Sequence, residues 1–140
     1  MRYEKTSLFI KNKQLIQTTN NKGVREMYNK DISEKIVSDC FDMMDNIRES
    51  KRVCKEIVDR AREDKKVKDY DYSNIYEYYM VIVSRDARAN QIVEEVIDIN
   101  GGVKGYDTDI YMKLIYDYEE MLILNKEVNI ARNKIRERYA

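Results

Sequence analysis

The sequence predicts a mainly α protein, an elongated antiparallel three-helix bundle with coiled-coil-like seams, and three observations lead to that fold class. Apolar residues recur in unbroken +4/+3 steps along three separate stretches. There is no proline in the 140 residues. Three of the four glycines fall together in Asn100-Gly101-Gly102-Val103-Lys104-Gly105. The stepping keeps one stripe of side chains facing a neighbouring helix, and the absence of proline leaves the helix interiors unbroken.

The first thirty residues stand apart from this pattern. Leu8, Phe9, Ile10, Leu15 and Ile16 are set among polar residues, and Asn20-Asn21-Lys22-Gly23 reads as a turn. The expectation is a β-hairpin pairing 7–19 with 24–28, with a short helix folded on the bundle as the other reading, because neither period is sustained. Residues 31–140 then form the bundle, within a single domain overall.

The first helix carries the row Ile36, Cys40, Met43, Ile47, Ser50, Cys54, Ile57, Ala61. Asp31 with Glu34 three residues later makes a capping box to open it. Its end is placed between Asp64 and Ser73, where no glycine marks the break. The second helix carries Ile75, Tyr78, Ile82, Arg85, Ala89, Ile92, Val96, Ile99, with Asn74 and Glu77 as its capping box. Residues 75–83 are rich in strand-favouring Tyr, Ile and Val, yet the row continues through them to Ile99 and makes them helical. The glycine cluster stops this helix. The third helix carries Ile110, Leu114, Asp117, Met121, Leu124, Val128, Ala131, Ile135, capped by Asp107 or Thr108. Each row is interrupted by one polar residue: Ser50, Arg85 or Asp117.

Composition narrows the chemistry. Charged residues make up 37% of the chain and there is no histidine, so the commonest general base and the usual partner of a Ser or Cys nucleophile are missing. Cys40 and Cys54 lie two heptads apart on one helix, about 21 Å by helix rise, and cannot bridge each other within it. With no CxxC and no histidine, no zinc site is expected. The glycine cluster matches neither GxGxxG nor a P-loop. One enzyme class fits the carboxylate spacing, the all-α Mg²⁺-dependent nucleotide pyrophosphohydrolases, through Glu95/Asp98 and Asp39/Asp42 at i, i+3. Such spacing arises by chance in an acidic chain, so the expectation is a protein that is not an enzyme, with no catalytic residue, no resident metal and no cofactor. No apolar run approaches the roughly twenty residues of a membrane span, which gives a cytoplasmic expectation with no membrane partner.

The net charge is zero, 26 basic against 26 acidic residues, but the charges are sorted. Residues 31–45 hold Asp31, Glu34, Asp39, Asp42 and Asp45 against Lys35, whereas 48–68 hold nine bases against five acids. The third helix repeats the gradient from Asp107, Asp109, Asp117, Glu119 and Glu120 to Arg132, Lys134, Arg136 and Arg138. In an up-down-up bundle the acidic ends meet at one pole, joined by Glu94, Glu95 and Asp98, and the basic ends at the other. The helix macrodipole favours this sign pattern, at about 0.3–1 kcal/mol per residue, but fades beyond the first and last turns. Nine of the twelve tyrosines cluster beside the same poles, and tyrosine offers a large, stiff, amphipathic contact.

The expected function is therefore a small helical interaction module that binds a partner protein through a charged, tyrosine-rich pole. Its acidic contact set is Tyr106, Asp107, Asp109, Tyr116 and Glu120. Lys-, Asn-, Ile- and Tyr-rich composition of this kind is common in phages, viruses and mobile elements, where an inhibitor or adaptor acting on a host nuclease or regulator, as a DNA mimic, is the leading version. The alternative is nucleic-acid binding at the basic pole through Arg62, Lys66, Tyr70, Tyr72 and Arg136, which an isoelectric point near 6.4 disfavours. A homodimer is compatible with either.

Overall fold

The computed structural model of the protein describes residues 22–102 and 108–139, and among these every regular element is a helix. They are α1 (Lys22–Glu63), α2 (Asp69–Gly102) and α3 (Thr108–Arg138), of 42, 34 and 31 residues. The expected helical bundle is present. None of the described helices is long and apolar enough to cross a membrane.

Two helix starts differ from expectation. α1 begins at Lys22, more than two turns before Asp31, because 25–30 are mostly ordinary or good helix formers with no breaker between them. The Asp31–Glu34 box is therefore interior helix rather than a cap. Residues 24–28, the second arm of the expected hairpin, belong to the same helix, and 7–19 lie outside the described residues. α2 begins at Asp69, so Asn74 is also interior. The break between α1 and α2 is made without glycine. The Lys66 N–H donates to Asp64 Oδ1 at 2.9 Å and the Val67 N–H to the Asp64 carbonyl at 3.0 Å, an Asx turn in which a short side chain supplies the bond that would otherwise continue the helix. The Tyr139 hydroxyl donates to the other carboxylate oxygen of Asp64 at 3.1 Å, tying the end of the chain to this turn.

The chain divides into two compact units, each a small bundle of one segment from every helix. The first takes in Gln91–Leu122 and α1 as far as Asp42, and its core is Ile36, Cys40, Ile92, Val93, Val96, Tyr111, Leu114, Ile115, Tyr118, Met121 and Leu122. The second takes in Met43–Asn90 and the chain from Ile123, with Met43, Met44, Ile47, Cys54, Ile57, Val58, Ala61, Ile75, Ile82, Ala89, Leu124, Val128, Ala131 and Ile135 inside. In this second unit α1 and α3 run the same way, Asn46 Nδ2 donating to Asn125 at 2.8 Å and Asn129 at 3.0 Å, and Arg132 donating to Ser50 Oγ at 3.1 Å. α2 runs against both: Arg48 donates to Asn90 at 2.7 Å, Lys51 pairs with Asp86 at 3.2 Å and Arg85 with Glu127 at 3.2 Å.

All eight positions of the first seam are buried. On the second, Tyr78, Arg85 and Ile99 are half-buried; on the third only Ile110 is exposed. The cores also enclose residues beside the seams, among them Met44, Val58, Val93, Ile115 and Leu122. A helix that touches two neighbours buries a wider stripe than the two-position seam of a coiled-coil dimer.

Candidate functional site

The two units differ in how their charges are used, and this separates the two expected contact regions. The described side chains of the first unit carry Asp31, Glu34, Asp39 and Asp42 on α1, Glu94, Glu95 and Asp98 on α2, and Asp109, Asp117, Glu119 and Glu120 on α3. Against these eleven carboxyls stand two cations, Lys35 and Lys113. Lys35 pairs with Asp39 at 3.4 Å, and Lys113 with Glu95. Asp31, Glu34, Asp42, Glu94 and Asp98 are exposed with no ion pair among the described residues.

The second unit has sixteen bases to twelve acids among its described side chains, and many neutralise one another along or across helices. Arg52 bonds both Glu49 and Glu56, Lys55 bonds Asp59, Arg62 pairs with Asp59 at 2.9 Å, and Lys134 faces Glu137 at 3.9 Å. The Arg52 guanidinium holds the Glu49 carboxyl below its usual range, and Asp59 in turn raises the Lys55 ammonium. Charges satisfied at i, i+3 and i, i+4 stabilise their own helix and leave a weaker field for a partner.

The structure places the sequence-derived residues unevenly. Tyr106 and Asp107 lie outside the described residues. Asp109 is exposed, Tyr116 is 56% exposed and Glu120 half-buried, all on α3 in the acidic unit. Two other tyrosines of the same cluster are core. Tyr111 is 3% exposed, and Tyr118, 2% exposed, donates its hydroxyl to Asp39 Oδ2 at 3.0 Å. Burial, with Asp39 beside it, pushes the Tyr118 phenol well above the usual range. Phe41 and Ile97, neither foreseen as contact residues, are each 45% exposed in this unit and add apolar area beside its carboxylates. Their only sequence signal is that they are large apolar residues off the seams.

In the second unit Arg62 is exposed but engaged with Asp59, Lys66 is exposed in the link, and Arg136 is exposed near the end of α3. Tyr70 is 75% exposed, whereas Tyr72 is half-buried and tilted against Tyr76 at 6.2 Å between ring centroids. Arg138 lies over the Tyr78 ring at 5.7 Å, a cation–π contact within the unit.

Of the four carboxylates considered for a magnesium site, Asp39 is engaged by Tyr118 and Lys35, and Glu95 by Lys113. Asp42 and Asp98 are exposed. Both thiols are buried, and burial pushes Cys40 up to about 12 and raises Cys54 as well. A buried thiol held protonated is a packing group rather than a nucleophile. Comparison with protein-family models, with curated proteins and with solved structures returns no match for this chain.

Proposed function

We propose that the protein is a non-catalytic interaction module whose acidic unit enters a cationic, nucleic-acid-binding cleft on a partner protein. One observation carries this reading: three helices contribute carboxylates to one unit, and five of those side chains are exposed without an ion pair among the described residues. A surface of one sign steers association with a surface of the other and rejects like-charged partners. Tyr116, Phe41 and Ile97 supply exposed apolar area of the kind that anchors an interface once the charges have aligned it. The partner class is a nuclease or a nucleic-acid-binding regulator, and occupation of its cleft would block it.

Glu34→Lys/Glu94→Lys/Asp98→Lys tests the reading, since all three side chains are exposed and unpaired among the described residues and their reversal leaves the cores untouched. The wild-type protein as bait in an extract of its native host should retain a basic protein that the triple variant does not, with both baits equally helical by circular dichroism. Equal retention by both would remove the acidic surface from the account.

A second reading, nucleic-acid binding by the other unit, is favoured by the exposure of Tyr70 beside Lys65, Lys66 and Lys68, which carry no ion pair among the described residues. Binding through phosphates would weaken steeply with salt, in proportion to the phosphates neutralised, and Tyr70→Ala with Lys66→Ala would weaken it further. The neighbouring Asp69 and Asp71 oppose it, so weak binding erased by physiological salt is the expected outcome.

A further inference from the structure

The acidic unit presents one charged face on α1. Asp31, Glu34, Ser38 and Asp42 are all exposed and follow one another at steps of three, four and four, which keeps them on one side of the helix. Phe41, seven residues on from Glu34, edges the same side and is exposed. The one cation among the described α1 side chains of this unit, Lys35, is turned to Asp39 at 3.4 Å. α2 lies alongside, since Ser33 Oγ donates to Asn100 Oδ1 at 3.3 Å. It brings exposed Glu94, Ile97 and Asp98 within the two turns before Asn100.

α1 starts in this unit at Lys22, and the 21 residues that precede it lie outside the described residues. Their chemistry is the complement of that face. Residues 1–16 hold Arg2, Lys5, Lys11 and Lys13 against Glu4 alone, interleaved with Leu8, Phe9, Ile10, Leu15 and Ile16. Gln17-Thr18-Thr19-Asn20-Asn21, uncharged, joins them to α1, and its asparagines are turn chemistry. The chain is long enough to fold back. Lys13 and Lys11 stand nine and eleven residues before Lys22, roughly 30 and 36 Å of extended chain, whereas Asp31 and Asp42 lie about 14 and 30 Å along α1 from Lys22 by helix rise. The second unit, with sixteen bases to twelve acids among its described side chains, offers the segment no such field.

We propose that residues 1–16 dock on the acidic face of their own α1 and α2, with Lys11 and Lys13 against the exposed carboxylates and the Leu8-Phe9-Ile10 run against Phe41 and Ile97. Tethering supplies the strength. A short flexible link holds the segment at an effective concentration of about millimolar, so a contact of millimolar affinity is half formed within one molecule and absent between two dilute ones. On the reading proposed above, a basic partner has to displace this built-in competitor; the docking itself stands without any partner.

A nitroxide label on Ser7→Cys in the full, isotope-labelled chain tests the docking with no partner protein in the sample, so its failure is read separately from that of the partner reading. Cys40 and Cys54 are buried, and burial raises both thiols, so the introduced thiol takes the label selectively. Backbone amide signals of 34–42 and 94–98 should lose most of their intensity to the unpaired electron, while those of 75–90 in the second unit keep theirs. Lys11→Glu/Lys13→Glu, which touches no described core residue, should restore the lost signals. A mixture of spin-labelled protein without isotope and isotope-labelled protein without spin label distinguishes one molecule from two, and should show no loss. Loss in that mixture would assign the face to a second copy and overturn the proposal. So would full intensity at 34–42 and 94–98, loss centred on the second unit, or loss that survives the charge reversal.

Discussion

The polar residues that interrupt the apolar rows do three different things. Ser50, fully buried, accepts a hydrogen bond from Arg132 across α1 and α3. Arg85 is half-buried and reaches Glu127. Asp117 is buried, and burial first, then the charge of Glu95, pushes its carboxyl up to about 6. Asp86, which the apolar pattern did not single out, is 7% exposed and held by Lys51 and Asn90. Removing one member of such a pair costs more than removing both, because the remaining group stays buried without its counter-charge. Lys51→Met should thus destabilise by about 1–3 kcal/mol, whereas Lys51→Met/Asp86→Leu should recover most of that loss; a double-mutant cycle from denaturant unfolding reads the difference. At the apolar positions Leu114→Ala or Ile92→Ala, both fully buried, should cost about 2–5 kcal/mol, and exposed Lys66→Ala less than about 0.5. Similar costs at all three would contradict the seam register.

At the scale of the element, what was legible in the sequence is the core stripe, and what was not is where helices start. The stripe is written as a sustained period, so Ile36 to Ala61 and Leu114 to Ile135 could be read directly, with Asp117 and Ser50 in place. The flanking core positions Met44, Val58, Val93 and Ile115 follow only once each helix is known to touch two others, which is tertiary information. Helix starts were misplaced because a capping box is a local preference of about 1 kcal/mol, and good helix formers on its N-terminal side let the helix run through it. Asp31→Ala checks this. In an exposed helix interior it should change stability by less than about 0.5 kcal/mol or raise it slightly, while a loss of about 1 kcal/mol in thermal unfolding would restore Asp31 as a cap. The site was half legible: the sorting of acids and bases, and the i, i+3 and i, i+4 spacing of pairs such as Lys55 and Asp59, were visible along the chain, but the pairs that cross between helices in the second unit were not, because Lys51 and Asp86 or Arg85 and Glu127 are far apart in sequence.

For the whole molecule, the zero net charge is a sum of unlike parts. The described side chains of the first unit, which begin at Asp31, are strongly acidic, those of the second are mildly basic, and residues 1–30 carry seven bases against two acids. An average over these parts hides the feature on which the functional reading rests. Because the described side chains of the acidic unit hold eleven carboxyls on three helices against two lysines, the central claim is that this unit and a nucleic acid compete for one cationic cleft on a partner. Competition by duplex DNA measures this most directly: the partner retained on the immobilised protein is challenged with increasing DNA at fixed ionic strength. The account predicts release of the partner as DNA saturates it, with no complex containing all three, and a proportionately easier release from Glu94→Lys. A stable ternary complex of protein, partner and DNA would contradict it.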